Sequence, residues 1–106
     1  MGVGLGYCIS AVVASPNWLV ITVKCDTRFA FSAMEVENFV RYELHVVVIL
    51  FNNGGVYGGD RRSPENISRP YKDDLAPTSF VPGAAYHALI EAFGGKGYLV
   101  GTPTIK

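Results

Sequence analysis

The 106 residues carry nine basic and nine acidic side chains, so neither nucleic acid nor an anionic membrane is indicated as a partner. That length allows one small domain, or part of one, with a limited core. Hydrophobic residues make up 49% of a chain that also holds 12 glycines, so part of the apolar surface is expected to need further sequence or another subunit.

In chain order, residues 2–14 (GVGLGYCISAVVA) are glycine-rich and then apolar, a loop turning into a buried helix. The run is too short and too mixed for a membrane span. Its alternating glycines miss the GxGxxG spacing and no strand precedes them, which speaks against a dinucleotide fingerprint. Ser15, Pro16 and Asn17 break the helix. Residues 18–23 (WLVITV) are β-branched and aromatic, a buried strand. Cys8 and Cys25 lack CxxC spacing, which fits a reducing compartment and argues against zinc.

Asp26 stands just past the first strand. Ser32 and Glu35 then form S-x-x-E, a capping box that is expected to start a helix after an Asp26 loop. Met34, Val36, Phe39 and Val40 supply its apolar face, while Glu37, two positions from Glu35, points elsewhere and is read as solvated. Residues 44–51 (LHVVVILF) form the central strand, with His45 a solvated residue at its start. The glycines of residues 52–59 (NNGGVYGG) offer unusual backbone freedom. Residues 60–82 are polar and proline-bearing, a lid, a binding loop or a disordered segment. The Asn66-Ile67-Ser68 sequon has no secretory signal to give it meaning. Residues 84–93 predict a second helix closed by Gly94 and Gly95, and residues 97–100 a last short strand.

Strand, helix and strand in this order predict a βαβ unit with parallel strands and a right-handed crossover. Parallel strands end on one edge, so Asp26 and Asn53 should emerge together at the carboxyl edge, where open α/β sheets bind ligands. A carboxylate, an amide oxygen and a glycine carbonyl are hard ligands suited to Mg²⁺, which commonly takes phosphate oxygens as well. Pattern alone therefore points to a metal-bridged diphosphate. The plainer alternative is a polar loop beside a capped helix.

Asp26 and Asn53, 27 positions apart, resemble the ends of the thiamine diphosphate motif, which begins Gly-Asp-Gly or Gly-Asp-Ser and closes on Asn-Asn. The strings FSAMEVENFVRY, VVVILFNNGGVYGGDRR, APTSFVP and EAFGGKGY resemble 2-hydroxyacyl-CoA lyase, close to its plant forms, with oxalyl-CoA decarboxylase the nearest relative. The resemblance implies an α/β fold, a three-layer parallel sheet flanked by helices, with residues 1–106 forming part of a C-terminal thiamine diphosphate-binding domain. It implies that Asp26, the Asn53 side chain and the Gly55 carbonyl bind Mg²⁺, with two diphosphate oxygens and a water completing the shell. Thr27 and Arg28 would occupy the loop that meets the diphosphate, Met1 would prop the bent cofactor, and Tyr57 would face it; alone, Tyr57 would be a packing tyrosine. It further implies an acyl-CoA substrate cleaved to formyl-CoA and an aldehyde, a homo-oligomer and a peroxisomal location, with cytoplasm as the alternative. Thr104-Ile105-Lys106 does not resemble a peroxisomal Ser-Lys-Leu address, and no targeting signal is expected in this chain.

Three positions depart from the family pattern. Cys25 and Ala30 stand where it has glycine, and Arg28 where it has a small residue. If the backbone at such a site runs at positive φ, a Cβ costs about 1–2 kcal/mol. Arg28 would either pair with phosphate or crowd the site, and its bulk tilts the expectation toward crowding. The family's activating glutamate and CoA-binding domain lie outside the segment matched, so chemistry by this chain alone is not expected. Two classes stay open: the cofactor-binding segment of a carbon–carbon lyase (or of an oxalyl-CoA decarboxylase), and a non-catalytic truncated remnant.

Overall fold

The computed structural model describes residues 1–56, 78–81 and 83–101. Its elements are α1 (Gly4–Ala14), β1 (Val20–Cys25), α2 (Asp26–Ala30), α3 (Glu35–Arg41), β2 (Val46–Phe51) and α4 (Tyr86–Ala92). β1 and β2 pair in parallel, from Val20 opposite Val46 to Cys25 opposite Phe51. This is the α/β, βαβ arrangement the sequence predicts, with α2 and α3 together forming the crossover.

The strands alternate as half-buried strands do. Val20, Val46, Val48 and Leu50 pack against a core of Leu5, Cys8, Phe29, Val36 and Phe39. Ile21, Val23, Val47, Ile49 and Phe51 face outward and are 43–63% exposed. Both runs were expected to be buried strands. Among the described residues helices cover one sheet face only, so β-branched composition on the outer face is not matched by burial there.

Several boundaries differ from the sequence reading. α1 begins at Gly4, so the glycine-rich stretch is helical rather than a loop, and Leu5, Cys8 and Val12 are its buried stripe. No loop separates β1 from the next helix: Cys25, extended at φ −88° and ψ 162°, passes directly into α2. The capping box does not form. Met34 precedes α3 without a side-chain cap, the Ser32 hydroxyl is buried with no partner among the described residues, and the Glu35 carboxylate accepts a bond from Asn38 Nδ2 at 2.7 Å. The Ser32 carbonyl instead takes the Glu35 N–H at 2.9 Å. Glu37 is not simply solvated, since it holds Arg41 one turn on through Nε at 2.9 Å and an Nη at 2.7 Å. That pair lifts the Arg41 guanidinium pKa above its ordinary value, chiefly through the hydrogen bond to Glu37.

The predicted C-cap of the last helix is present. Gly94 takes φ +89°, its N–H meets the Glu91 carbonyl, and the Gly95 N–H reaches back to Ile90 at 3.0 Å, a Schellman closure. α3 ends by the same pattern, with Leu44 N–H on the Phe39 carbonyl, but Glu43 at φ +49° occupies the left-handed position. No glycine marked that turn in the sequence. Residues 97–100 are not a strand; they run irregularly past β2, and Tyr98, Leu99 and Val100 are exposed.

Candidate functional site

The register carries the site. Because Cys25 and Phe51 are the last paired residues of parallel strands, Asp26 and the Asn52–Asn53 pair leave the sheet at the same edge. Asp26 is wholly buried, at 0% exposure, and starts α2. Its Oδ1 accepts the Thr27 N–H at 2.6 Å and the Thr27 hydroxyl at 3.2 Å. Its Oδ2 accepts the N–H groups of Gly54 at 2.7 Å and Gly55 at 2.9 Å. One side chain therefore ties the end of β1 to the loop after β2. Bonds from N–H to a carboxylate are roughly twice as strong as neutral ones.

The loop is shaped for this by its glycines. Gly54 at φ +83° and Gly55 at φ +125° aim consecutive amides at one oxygen. The far end of the following segment returns to the same place. Val56 N–H meets the Thr78 carbonyl at 2.8 Å, and Phe80 N–H meets the Gly54 carbonyl at 3.0 Å, so Gly55 and Ser79 form an antiparallel bridge. Asn52 Nδ2 donates to the Ala84 carbonyl at 3.0 Å, pinning the loop toward the start of α4.

The other residues singled out from sequence are distributed around this edge. Asn53 lies on the loop with an exposed side chain, Gly55 is buried, and Thr27 is buried against Asp26. Met1 and Arg28 are exposed and share a hollow on the α1 side of β1 with Lys24. Thr27 and Arg28 are residues of α2 rather than of a loop. Cys25 and Ala30 need no glycine-like backbone, Cys25 because its φ is −88° and Ala30 because it is helical. Tyr57, most of the predicted lid and the Asn66 sequon lie outside the described residues.

Residues 1–105 match the family of the thiamine pyrophosphate enzyme C-terminal TPP binding domain. The chain belongs to that family. It is 73% identical over 103 residues to a 2-hydroxyacyl-CoA lyase of Arabidopsis thaliana, covering 97% of this chain and 18% of the relative. It is 40% identical over 110 residues to the 2-hydroxyacyl-CoA lyase 1 of Homo sapiens, covering 97% of the chain and 19% of that protein. To the oxalyl-CoA decarboxylase of Escherichia coli K12 it is 41% identical over 102 residues, covering 96% of the chain and 17% of the relative. The chain thus spans less than a fifth of the length of each.

In this thiamine pyrophosphate-enzyme domain two further residues adjoin the Asp26 edge that sequence reading passed over. Ser79, opposite Gly55, carries a buried hydroxyl with no partner among the described residues. Tyr86, the first residue of α4, packs edge-on against Phe29 with ring centroids 5.9 Å apart. Burial first, and the negative charge of Asp26 second, raise its phenol above the ordinary tyrosine range. Both residues lie far along the chain from Asp26, and no local spacing could have tied them to it.

A pH dependence follows from Tyr86. Its folded-state pKa is raised, so the neutral phenol contributes stability fully below the unfolded value near 10 and loses it as pH rises through the folded value. Denaturant midpoints should therefore fall more steeply above pH 10 for the unsubstituted chain than for Tyr86→Phe. Parallel alkaline limbs would show that this phenol is not coupled to folding.

No helix among the described residues is long and apolar enough to cross a membrane. No cluster of three or more His, Cys, Asp or Glu side chains able to hold a metal ion is present among them.

Proposed function

We propose that this domain holds thiamine diphosphate through Mg²⁺ at the Asp26–Asn53 edge, as the cofactor-binding segment of a 2-hydroxyacyl-CoA lyase. The observation that carries the reading is a fully buried carboxylate that has no cationic partner among the described residues, where the one ion pair is Glu37–Arg41. A buried charge is costly unless paired or coordinated to metal. The candidate ligands on the two chain segments that leave this edge, a carboxylate, an amide oxygen and a glycine carbonyl, suit a hard cation in kind. Asp26, the Asn53 side chain and the Gly55 carbonyl would hold the metal. The long Thr27 hydroxyl contact to Oδ1, at 3.2 Å, is the weakest of the four bonds on that carboxylate and the one most readily exchanged.

When bound, thiamine diphosphate supplies a carbanion nucleophile for cleaving the bond beside a carbonyl. The chain's own part is to place and orient that group. The Gly54 and Gly55 amides hold the Asp26 carboxylate in one orientation, and Thr27 is buried beside it. Met1 would support the bent cofactor, and Arg28 would lie toward its phosphates. The preference for lyase over decarboxylase rests on identity, 73% to the Arabidopsis lyase against 41% to the bacterial decarboxylase. An acyl-CoA substrate, homo-oligomeric assembly and a peroxisomal location belong to the same reading.

A second reading, a non-catalytic remnant, draws on the same carboxylate. All four bonds to Asp26 come from N–H or O–H groups, and a carboxylate so satisfied can be a purely structural tie between two loops. Calorimetric titration with thiamine diphosphate in the presence of Mg²⁺ separates the two. Cofactor holding predicts saturable heat that disappears when Mg²⁺ is chelated. Heat that is absent with and without the metal favours the remnant.

A further inference from the structure

Asn53 is the one asparagine of the sequence with glycine next in the chain. In such a pair the glycine nitrogen can attack the asparagine carboxamide carbon, because no Cβ on the following residue shields it. The attack has two requirements: the carboxamide must be free to turn, and the glycine nitrogen must lose its proton. The first is met. Asn53 is exposed, and among the described residues its carboxamide has no hydrogen bond, whereas that of Asn52 is tied to the Ala84 carbonyl. The second is blocked. The Gly54 N–H donates to Asp26 Oδ2 at 2.7 Å, so a carboxylate holds the proton in place, and its negative charge opposes the amide anion that the attack needs.

We propose that Asn53 is a deamidation site latched by Asp26. When the Asp26–Gly54 bond opens locally, the Gly54 nitrogen forms a bond to Asn53 Cγ and the Cγ–Nδ2 bond breaks. The Gly54 proton passes through solvent to the departing nitrogen, which leaves as ammonia. The cyclic imide left behind takes up one water and opens at either carbonyl, giving aspartate or isoaspartate; nothing is oxidised or reduced. The loop glycines supply the latch geometry, since Gly54 at φ +83° and Gly55 at φ +125° put both amides on the same carboxylate oxygen. An aspartate product sets a second carboxylate on the edge where Asp26 lies buried. An isoaspartate product routes the backbone through Cβ and draws the glycine amides off Asp26. The inference rests on this hydrogen bond and not on magnesium or cofactor binding.

The test is peptide mass spectrometry of the full chain incubated in neutral, metal-free buffer, following conversion at Asn53 with Asn38 as the reference. Conversion in the folded chain should be slower than in the same chain unfolded in urea by about tenfold or more, as for one hydrogen bond to a charged group. Folded Asp26→Asn, with a weaker neutral acceptor, should convert several-fold faster than the unsubstituted chain. Val36→Ala, which loosens the core without touching the loop, should convert at the unsubstituted rate once circular dichroism shows it folded. Should Asp26→Asn fail to fold, hydrogen exchange at the Gly54 amide of the unsubstituted chain over a urea series decides, because Asn53 conversion must rise in step with it. The proposal is overturned if the folded chain converts as fast as the unfolded one, if folded Asp26→Asn converts no faster than Val36→Ala, or if conversion is independent of Gly54 exchange.

Discussion

Asp26→Ala should destabilise the chain by roughly 3 kcal/mol or more, among the largest effects available to a single substitution here. Alanine removes four hydrogen bonds at once and leaves the Gly54 and Gly55 N–H groups facing a void. Each buried donor left unsatisfied costs about 1–3 kcal/mol. A domain this small has little stability to spare, so partial unfolding at ambient temperature is the expected outcome. Urea titration followed by circular dichroism reads it directly. Asp26→Asn sharpens the comparison: the amide keeps the volume but turns one acceptor oxygen into a donor, which must face either the Thr27 donors or the glycine amides. A midpoint for Asp26→Asn equal to that of the unsubstituted chain would mean the carboxylate does not tie the two loops together.

Gly55→Ala is the second large effect. At φ +125° the backbone is in a region that side chains rarely enter, costing on the order of 1–3 kcal/mol by itself. A Cβ there would also strike the Thr78 carbonyl, a backbone atom held by its hydrogen bond from Val56 and unable to swing aside. The substitution should break the Gly55–Ser79 bridge and move the Gly55 amide off Asp26. Hydrogen exchange at the Gly54 and Val56 amides should rise well beyond the change at β2, and any magnesium-dependent binding should be lost with it. Gly6→Ala, on the exposed side of α1 with open space around it, is the matched control and should be near neutral or mildly stabilising. Unchanged exchange at Gly54 in Gly55→Ala would show that the loop tolerates a side chain.

Both effects arise where two distant segments meet, and the sequence exposed one half of that meeting well. Residues 18–23 and 44–51 are written as strands by their β-branched runs, and the helical pattern between them makes that segment a crossover. Parallel pairing, and with it the placing of Asp26 beside the Asn-Asn-Gly-Gly loop, follows from element order. The double glycine after Asn53 likewise announced a backbone at positive φ, and both residues take one.

Local signatures misled where a packed alternative won. Ser32 and Glu35 have capping-box spacing, yet the chain makes α2 at once from Asp26 and then a turn, which leaves the Ser32 hydroxyl buried and pairs Glu35 with Asn38. Asp26 wins the helix start because its carboxylate can satisfy the Thr27 amide and two amides of another loop together, a gain no local cap can match. Residues 97–100 have strand composition but no strand, since composition cannot supply the neighbour whose amides a strand must meet.

What the sequence determined by itself is the strand–helix–strand order of the central unit, the parallel sense of the two strands, the edge at which the acid and the amide pair emerge, and membership of a family that binds thiamine diphosphate. These follow from periodicity, chain direction and matched residues, all of which are properties of the polymer before it folds. Only the tertiary structure decided that Asp26 binds backbone amides across the edge, that Tyr86 and Ser79 stand beside it, and that Lys24 and Arg28 share one hollow with the start of α1. Each of those depends on which oxygen meets which N–H, or which charge meets which, once segments far apart in the chain are packed together, and hydrogen bonds and charge contacts form over a few ångströms of space rather than over a spacing in sequence.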